Sequence, residues 1–324
     1  MRHLLLAALA CTAMTADSWS GTRPASPATQ VDLDLALAGG ASAGIRVHHP
    51  AQPDGRCPVV VFSHGLAGSR SGYGFLGAHW AAHGYIAIHP DHPGSDTAAF
   101  KGLRPADIPA ALRRATGDPA ILQGRPRLIA AIIDALPALE SAVPALAGHV
   151  DAGRIGVAGH SFGGWTTMCV AGMRTRGGDW SDPRPLAFAA LSPPGPNPLT
   201  RPDDFAGCTR PVLVMTGSDD RQPAFLARGD EQSGAWRREV FERMPPGGKL
   251  LAWFDGARHC TYSDGAGNVL TGEPRPDPTQ VEAVAVITLA WWDARLRNDA
   301  KAQAWLADPA TPAVLGPWAA LTAR

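Results

Sequence analysis

The chain carries little charge and no long hydrophobic run. Only 18% of its 324 residues are charged, and 29 basic residues are balanced by 29 acidic ones. Composition therefore gives no electrostatic basis for binding nucleic acid or an anionic membrane surface. No stretch reaches the roughly 20 consecutive apolar residues that a transmembrane helix needs. These absences exclude the nucleic-acid-binding and membrane-spanning classes.

Cysteine is also scarce, with five in the chain, and one of them lies in a segment typical of an export signal. Arg2 begins this segment, an apolar run covers 4–10, and small residues follow to Ala16. We expect removal of 1–16 and a secreted or periplasmic product. A lipoprotein signal ending at Cys11 is the alternative, with Ala8 where such signals usually carry leucine.

The remaining cysteines allow disulfides without specifying them. They are Cys57, Cys169, Cys208 and Cys260. An even number in an exported chain permits pairing. Cys208 precedes one predicted strand and Cys260 follows another, which would place them at opposite edges of a parallel sheet and disfavours that bridge. The loop around Cys208 is long enough to weaken this objection, so the connectivity stays open.

Short apolar runs alternate with longer helical patterns along the chain. This alternation predicts an α/β fold with a mostly parallel central sheet and helices on both faces. We expect an N-terminal extension over 17–30 and a single catalytic domain over 31–324. The predicted strands are 31–37, 44–48, 58–62, 85–89, 155–158, 186–191, 212–215 and 250–254, and the predicted helices are 74–83, 127–139, 162–173 and 281–296.

Two polar, proline-containing segments interrupt the alternation, at 96–123 and 183–202. We expect loops there, at the edge of the sheet where substrates usually bind. Trp180 and Phe205, in or beside such loops, either line a substrate pocket or cover the core.

The most specific motif is Gly-His-Ser-Phe-Gly-Gly at 159–164, directly after a predicted strand and before a predicted helix. Gly-x-Ser-x-Gly in this setting is typical of a nucleophile elbow, a tight turn that exposes a serine hydroxyl. The flanking glycines avoid side-chain clashes where backbone segments approach closely. Ser161 is therefore the candidate nucleophile.

A base and an acid follow in the order required of such enzymes. His259 comes after the strand 250–254, and an imidazole can accept the serine proton and return it. Asp220 follows the strand 212–215 and is the candidate acid, with Asp219 as the alternative. For Asp255, a structural role in a turn is favoured.

The loop after the strand 58–62 reads Ser-His-Gly-Leu-Ala-Gly from 63 to 68. Such a loop can supply one backbone N–H of an oxyanion hole, and the residue after the nucleophile supplies the other. We expect the N–H groups of Leu66 and Phe162 to fill these roles. His89 and His92 could form a pair of metal ligands, but two close ligands without a third are weak evidence, so a turn after the strand is favoured.

The segments 62–69 (Phe-Ser-His-Gly-Leu-Ala-Gly-Ser), 83–96 and 159–164 carry a family resemblance. From about Pro58 onward the chain resembles bacterial "predicted dienelactone hydrolases" and platelet-activating-factor acetylhydrolases, and more distantly cutinase-type polyester hydrolases. The resemblance implies an α/β-hydrolase fold, a serine nucleophile and carboxylic-ester substrates.

The chain departs from these relatives in two ways. Dienelactone hydrolases use a cysteine nucleophile, whereas this chain has Ser161. In platelet-activating-factor acetylhydrolases the acid follows an earlier strand, and the matching stretch here, Leu-Ser-Pro-Pro-Gly-Pro at 191–196, contains no acid. Asp220 is therefore expected to take that role.

The sequence predicts a secreted serine esterase that forms an acyl-enzyme and acts on a small or polymeric ester. We expect a monomer that uses neither a cofactor nor a metal. Acyl transfer or amide hydrolysis by the same triad is an alternative, and a catalytically silent binding protein is another. Fold resemblance alone does not choose among them.

Overall fold

A computed structural model of the chain describes residues 19, 21, 26–222, 226–227, 233–263 and 274–324. The predicted export signal over 1–16, including Cys11, lies outside these residues. Trp19, from the predicted N-terminal extension, is buried, and its indole Nε1 donates to Oδ2 of Asp293 at 3.2 Å.

In the described part of the chain, nine strands form one sheet in the order β1-β2-β4-β3-β5-β6-β7-β8-β9. Neighbouring strands from β4 through β8 are parallel, whereas β1, β2 and β9 join as antiparallel strands at the two sides. The strands are β1 Ala28–Ala36, β2 Ser42–Pro50, β3 Cys57–Ser63, β4 Ile86–Pro90, β5 Val150–His160, β6 Ala187–Leu191, β7 Val212–Asp219, β8 Lys249–Arg258 and β9 Ala319–Ala323.

The helices cover both faces of the sheet. They are α1 Gly74–Ala82, α2 Thr97–Phe100, α3 Ile108–Gly117, α4 Pro119–Asp134, α5 Leu136–Ala142, α6 Phe162–Ala171, α7 Gly234–Arg243, α8 Pro278–Leu296, α9 Ala300–Ala307 and α10 Thr311–Leu315. Among the residues described, no helix combines the length and apolar character needed to cross a membrane.

Strand β3 is apolar at nearly every position because it is covered on both faces of the sheet. Val59 and Val61 pack into the core beneath α4 to α7, and Val60 and Phe62 pack into the core beneath α1, α8 and α9. Successive side chains of a strand point to opposite faces, so a strand covered on both faces is apolar at every position. This is an α/β-hydrolase fold, as the alternation of elements predicts.

The prediction of a loop over 96–123 is wrong. Helices α2 and α3 and the beginning of α4 occupy much of this segment. Pro109 and Pro119 lie in the first turns of α3 and α4, where the missing proline N–H would have no helical acceptor in any case. Asp118 caps α4 by accepting the Ala120 N–H at 2.8 Å. Prolines that suggested a loop therefore mark helix starts.

Two further elements differ from the sequence prediction. The helix expected over 127–139 is divided at Ala135 between α4 and α5, with Pro137 in the first turn of α5. The C-terminal strand β9 has no counterpart among the predicted strands. It is short and partly exposed, and it is held as a strand by antiparallel pairing along β8.

The four described cysteines, Cys57, Cys169, Cys208 and Cys260, are buried thiols and form no disulfide with one another. The fold over the described residues is thus held by its core and its hydrogen bonds.

Candidate active site

Ser161 lies on a tight turn between β5, which ends at His160, and α6, which begins at Phe162. Its backbone has a φ of 56°, in the left-handed region that a non-glycine residue rarely adopts. A Cβ on Gly163 would overlap the carbonyl oxygen of Ser63. The glycine therefore allows the end of β3 to pack directly against the first turn of α6. This is the backbone geometry that the Gly-x-Ser-x-Gly motif predicts.

Ser161, His259 and Asp220 lie in one hydrogen-bonded row. Ser161 Oγ is 2.9 Å from Nε2 of His259, and Nδ1 of the same ring is 3.0 Å from Oδ1 of Asp220. A carboxylate can only accept, so Nδ1 carries the proton of the neutral ring. Nε2 is then left with a lone pair, to which the Ser161 hydroxyl donates. In this tautomer, His259 can remove the serine proton.

The Asp220 carboxylate is fully buried and is contacted by three side chains besides the His259 imidazole. Thr216 Oγ1 donates to Oδ2 at 2.8 Å, Ser192 Oγ donates to Oδ1 at 2.8 Å, and Arg237 Nε lies 2.9 Å from Oδ1. Burial by itself raises the pKa of Asp220, but the Arg237 charge and the His259 hydrogen bond outweigh it and lower the pKa to about 2. The carboxylate is therefore ionised throughout the working pH range.

The structure separates the two candidate acids. Asp220 faces His259, whereas Asp219 is half-exposed at the end of β7 and lies 3.8 Å from Arg221. Asp255, expected in a turn, lies within β8 and is exposed. Of the aspartates considered from sequence, Asp220 is the one that the fold brings to the imidazole.

The loop Ser63 to Gly68 lies beside the first turn of α6. Gly65 approaches the backbone of His160, where a Cβ would lie 3.5 Å from the carbonyl oxygen. Within the described part of the chain, the N–H groups of Leu66 and Phe162 donate to no protein acceptor. The first N–H groups of a helix have no acceptor within it. Both amides are therefore available for an anionic oxygen near Ser161.

A buried row of hydrogen bonds connects this loop to the histidine. The Gly65 N–H donates to the Tyr73 hydroxyl at 3.2 Å, which donates to Nδ1 of His160 at 2.8 Å. Nε2 of His160 donates to the carbonyl oxygen of His259 at 3.1 Å. Burial lowers the pKa of His160 well below its usual value, so the ring is neutral. In the sequence, the only indication that His160 connects these groups is its position inside the serine motif.

His64 organises the loop from within. Its Nδ1–H donates to the carbonyl oxygen of Gly65 at 2.6 Å, and its Nε2 accepts the N–H of His92 at 3.1 Å. Burial lowers the pKa of His64 to about 3, so the ring stays neutral and keeps both contacts at physiological pH. The loop motif by itself assigns no role to the His64 side chain.

The other singled-out residues take structural positions. Phe205 is fully buried in the core, and Trp180 is half-buried beneath the guanidinium of Arg127, 4.8 Å from the ring centroid. His92 contacts Ser63 Oγ at 2.8 Å through Nε2, and His89 is buried in β4. Across the described ranges, no group of three or more His, Cys, Asp or Glu side chains is arranged to hold a metal ion.

The family model of platelet-activating factor acetylhydrolase, isoform II, matches residues 32–108. This segment runs from within β1 to the first residue of α3 and includes β3, β4 and the loop Ser63 to Gly68. The resemblance predicted from the motifs is confirmed over this segment, and it supports an ester hydrolase of the serine type. Ser161, Asp220 and His259 lie beyond it.

Proposed function

We propose that the chain is a serine esterase in which Ser161 is the nucleophile, His259 the general base and acid, and Asp220 the group that orients the imidazole. The observation that carries this proposal is the continuous row from Ser161 Oγ through His259 to the buried Asp220 carboxylate, with two available amides beside it. The match to an acetylhydrolase family supports an ester as the substrate.

In the acylation step, Ser161 Oγ attacks the ester carbonyl carbon while its proton passes to Nε2 of His259. The carbonyl oxygen becomes an anion, which the N–H groups of Leu66 and Phe162 stabilise. The intermediate collapses as the C–O bond to the alcohol breaks, and His259 returns the proton to the departing alkoxide. Asp220 stabilises the transient imidazolium and stays ionised.

In the deacylation step, water replaces the alcohol. His259 removes a proton from the water, whose oxygen attacks the acyl carbon through a second oxyanion in the same position. Collapse releases the carboxylic acid, and the proton returns to Ser161 Oγ. Both steps need only the chain's own residues and water.

The decisive test compares the parent protein with Ser161→Ala, using p-nitrophenyl butyrate hydrolysis and labelling by a fluorophosphonate probe. We expect both signals to be lost in the variant while its circular dichroism is unchanged. Ser141→Ala is the matched control, because Ser141 is an exposed serine on α5. This variant should retain full activity. Full turnover by Ser161→Ala would refute the proposal.

Substrate range is addressed by a series of p-nitrophenyl esters of increasing acyl length, measured beside a polyester film and a phospholipid. An alcohol acceptor added to the same assay separates hydrolysis from acyl transfer, and an anilide substrate reports amide cleavage. We further propose that the protein works outside the cytoplasm, as its N-terminal segment indicates. Fractionation of cells expressing the full chain tests this: an intact, cytoplasmic product would contradict it.

A further inference from the structure

Helix α4 presents an arginine on its buried face. Arg125 shares this face with Ile129, Ile132 and Ile133, at spacings of four, seven and eight residues. Its side chain is fully buried, although arginine is almost never buried without a partner for its charge. No carboxylate of the described residues lies within 4.0 Å of its guanidinium. The group is therefore a buried cation whose contacts are with neutral groups.

The guanidinium holds both sides of the loop that carries Leu66. One terminal nitrogen donates to the carbonyl oxygen of His64 and, at 3.0 Å, to Ser63 Oγ. The other donates to Ser95 Oγ at 2.7 Å, and the carbonyl oxygen of Ser95 accepts the N–H of Ala67 at 2.9 Å. The residues before and after Leu66 are thus fixed through one side chain.

The same guanidinium holds the first turn of α6. Its Nε donates to Thr166 Oγ1 at 2.9 Å, and Thr166 Oγ1 donates to the carbonyl oxygen of Phe162 at 3.1 Å. The guanidinium plane also lies over the Phe162 ring, 4.5 Å from its centroid. Arg125 therefore contacts both segments that carry the proposed oxyanion-hole amides.

We propose that Arg125 is a positioning residue that fixes the Leu66 and Phe162 amides relative to each other and adds positive potential to the oxyanion hole. The inference rests on the proposed function. It follows from two physical facts: donors aimed at a developing charge must be held in place before reaction, and an uncompensated cation in a water-excluded site favours a nearby anion. Neither effect strengthens binding of the neutral ester.

Arg125 stays charged under working conditions. Burial lowers its pKa to about 9. It is thus protonated near neutral pH, where the esterase assay is run. Its positive charge is present whenever the oxyanion forms.

The test is Arg125→Lys, which keeps a positive charge but cannot span both segments with a planar fork. We expect kcat for p-nitrophenyl butyrate to fall about 10-fold to 100-fold, less than the roughly 10²- to 10³-fold loss on removing an oxyanion donor, because the amides are displaced and not removed. KM should change less than about twofold. Ser161 Oγ adds to the carbonyl carbon of a trifluoromethyl ketone and forms an anionic hemiketal. The inhibition constant of this ketone should rise by the same factor as kcat falls.

Arg210→Lys is the matched control. The Arg210 guanidinium also lies over a phenylalanine, 4.7 Å from the Phe188 centroid, and donates to carbonyl oxygens of Pro185 and Val170 at 3.0 and 2.9 Å. It precedes β7 and so lies at the opposite edge of the sheet from Ser161. We expect unchanged kcat and an unchanged inhibition constant.

If Arg125→Lys does not fold, kcat of Thr166→Val is measured instead. This substitution nearly preserves the side-chain volume and removes the hydroxyl that connects Arg125 to Phe162. An unchanged kcat in the folded variant, or a loss expressed only in KM, would overturn the inference while the parent remains an esterase. A parent without Ser161-dependent turnover would overturn the proposed function and this inference together.

Discussion

The hydroxyl oxygen of Ser192 lies 2.7 Å from Nδ1 of His259, closer than the nearest Asp220 oxygen at 3.0 Å. The hydroxyl hydrogen is directed to Asp220 Oδ1, at 2.8 Å, so the Nδ1–H is shared between the carboxylate and the serine oxygen. Ser192 follows β6, and Asp220 follows β7. Side chains from two adjacent strand ends thus orient one imidazole.

Replacing Ser192 by alanine should lower kcat/KM about 10-fold to 150-fold, because a hydrogen bond to a charged group contributes roughly 1.5–3 kcal/mol and about 1.4 kcal/mol corresponds to a factor of ten. Ser192 has a φ of 49°, which alanine tolerates no worse than serine, so the backbone cost is constant in this comparison. Ser218→Ala is the control, since Ser218 Oγ bonds the Gly256 N–H rather than the triad. Equal activity of the two variants would contradict a role for Ser192.

The choice between the adjacent aspartates is tested by Asp220→Asn and Asp219→Asn. Asparagine at 220 presents an N–H₂ group to the ring and favours the wrong tautomer, so we expect kcat to fall about 10⁴-fold. Asp219→Asn removes a half-exposed carboxylate that contacts only Arg221 among the described residues, and activity should persist. Steady-state kinetics of both variants, with the rate of fluorophosphonate labelling of Ser161, provides the measurement. Reversed losses would assign the acid to Asp219.

The close approach at the elbow predicts a large difference between two glycine-to-alanine variants. Gly163→Ala forces a Cβ into the Ser63 carbonyl oxygen, so β3 and α6 must separate, and we expect loss of activity with destabilisation of several kcal/mol. Gly124→Ala lies in α4 with no atom within 4 Å of the added Cβ, and it should stabilise the protein by about 0.5–1 kcal/mol. Denaturant unfolding measures both, and a stable, active Gly163→Ala would disprove the close approach.

Buried neutral histidines predict a loss of stability on mild acidification. Burial lowers the pKa to about 4 in His48 and His79 and to about 3 in His64, and places those of His89 and His92 well below the usual value. The unfolded chain therefore binds more protons below pH 6.5. The free energy of unfolding is expected to be highest above pH 6.5 and to fall as the pH drops toward 4.

Each such histidine adds at most about 1.4 kcal/mol per pH unit to that slope. Urea unfolding between pH 7.5 and 4.5 measures it. His48 lies in β2, remote from the triad, and His48→Leu is an apolar replacement. It should reduce the pH dependence of the unfolding free energy by up to the contribution of one histidine. An identical slope in parent and variant would show that His48 is not buried as a neutral ring.

The fold could be predicted from sequence because its signals are local, and the same local signals mark the positions of the three residues proposed as the triad. A strand of apolar residues followed by a glycine-rich turn is legible in a few positions, and Ser161, Asp220 and His259 each follow such a strand. The parallel sheet then brings consecutive strand ends to one edge. The geometry agrees with those positions, including the choice of Asp220 over Asp219.

The supporting residues were not predictable, since their roles depend on contacts between distant segments. Arg125 is 41 positions from Thr166, and Arg237 is 17 from Asp220. Arg125 interrupts an otherwise apolar face of helix α4, which indicates a special role. The sequence does not show which residues it contacts. Strand β9 depends on pairing with β8 and shows little periodicity of its own. Helix α3 was not predicted because proline is found in the first turn of helices and also where helices end, so the prolines did not indicate a helix start.

The buried cysteines give the protein a built-in reporter. The four described cysteines are buried thiols that form no disulfide with one another. A thiol-reactive dye should modify the native protein only through transient opening. The rate of that modification, followed at Cys57 at the start of β3 and at Cys169 in α6, would report how often the core that contains both residues opens.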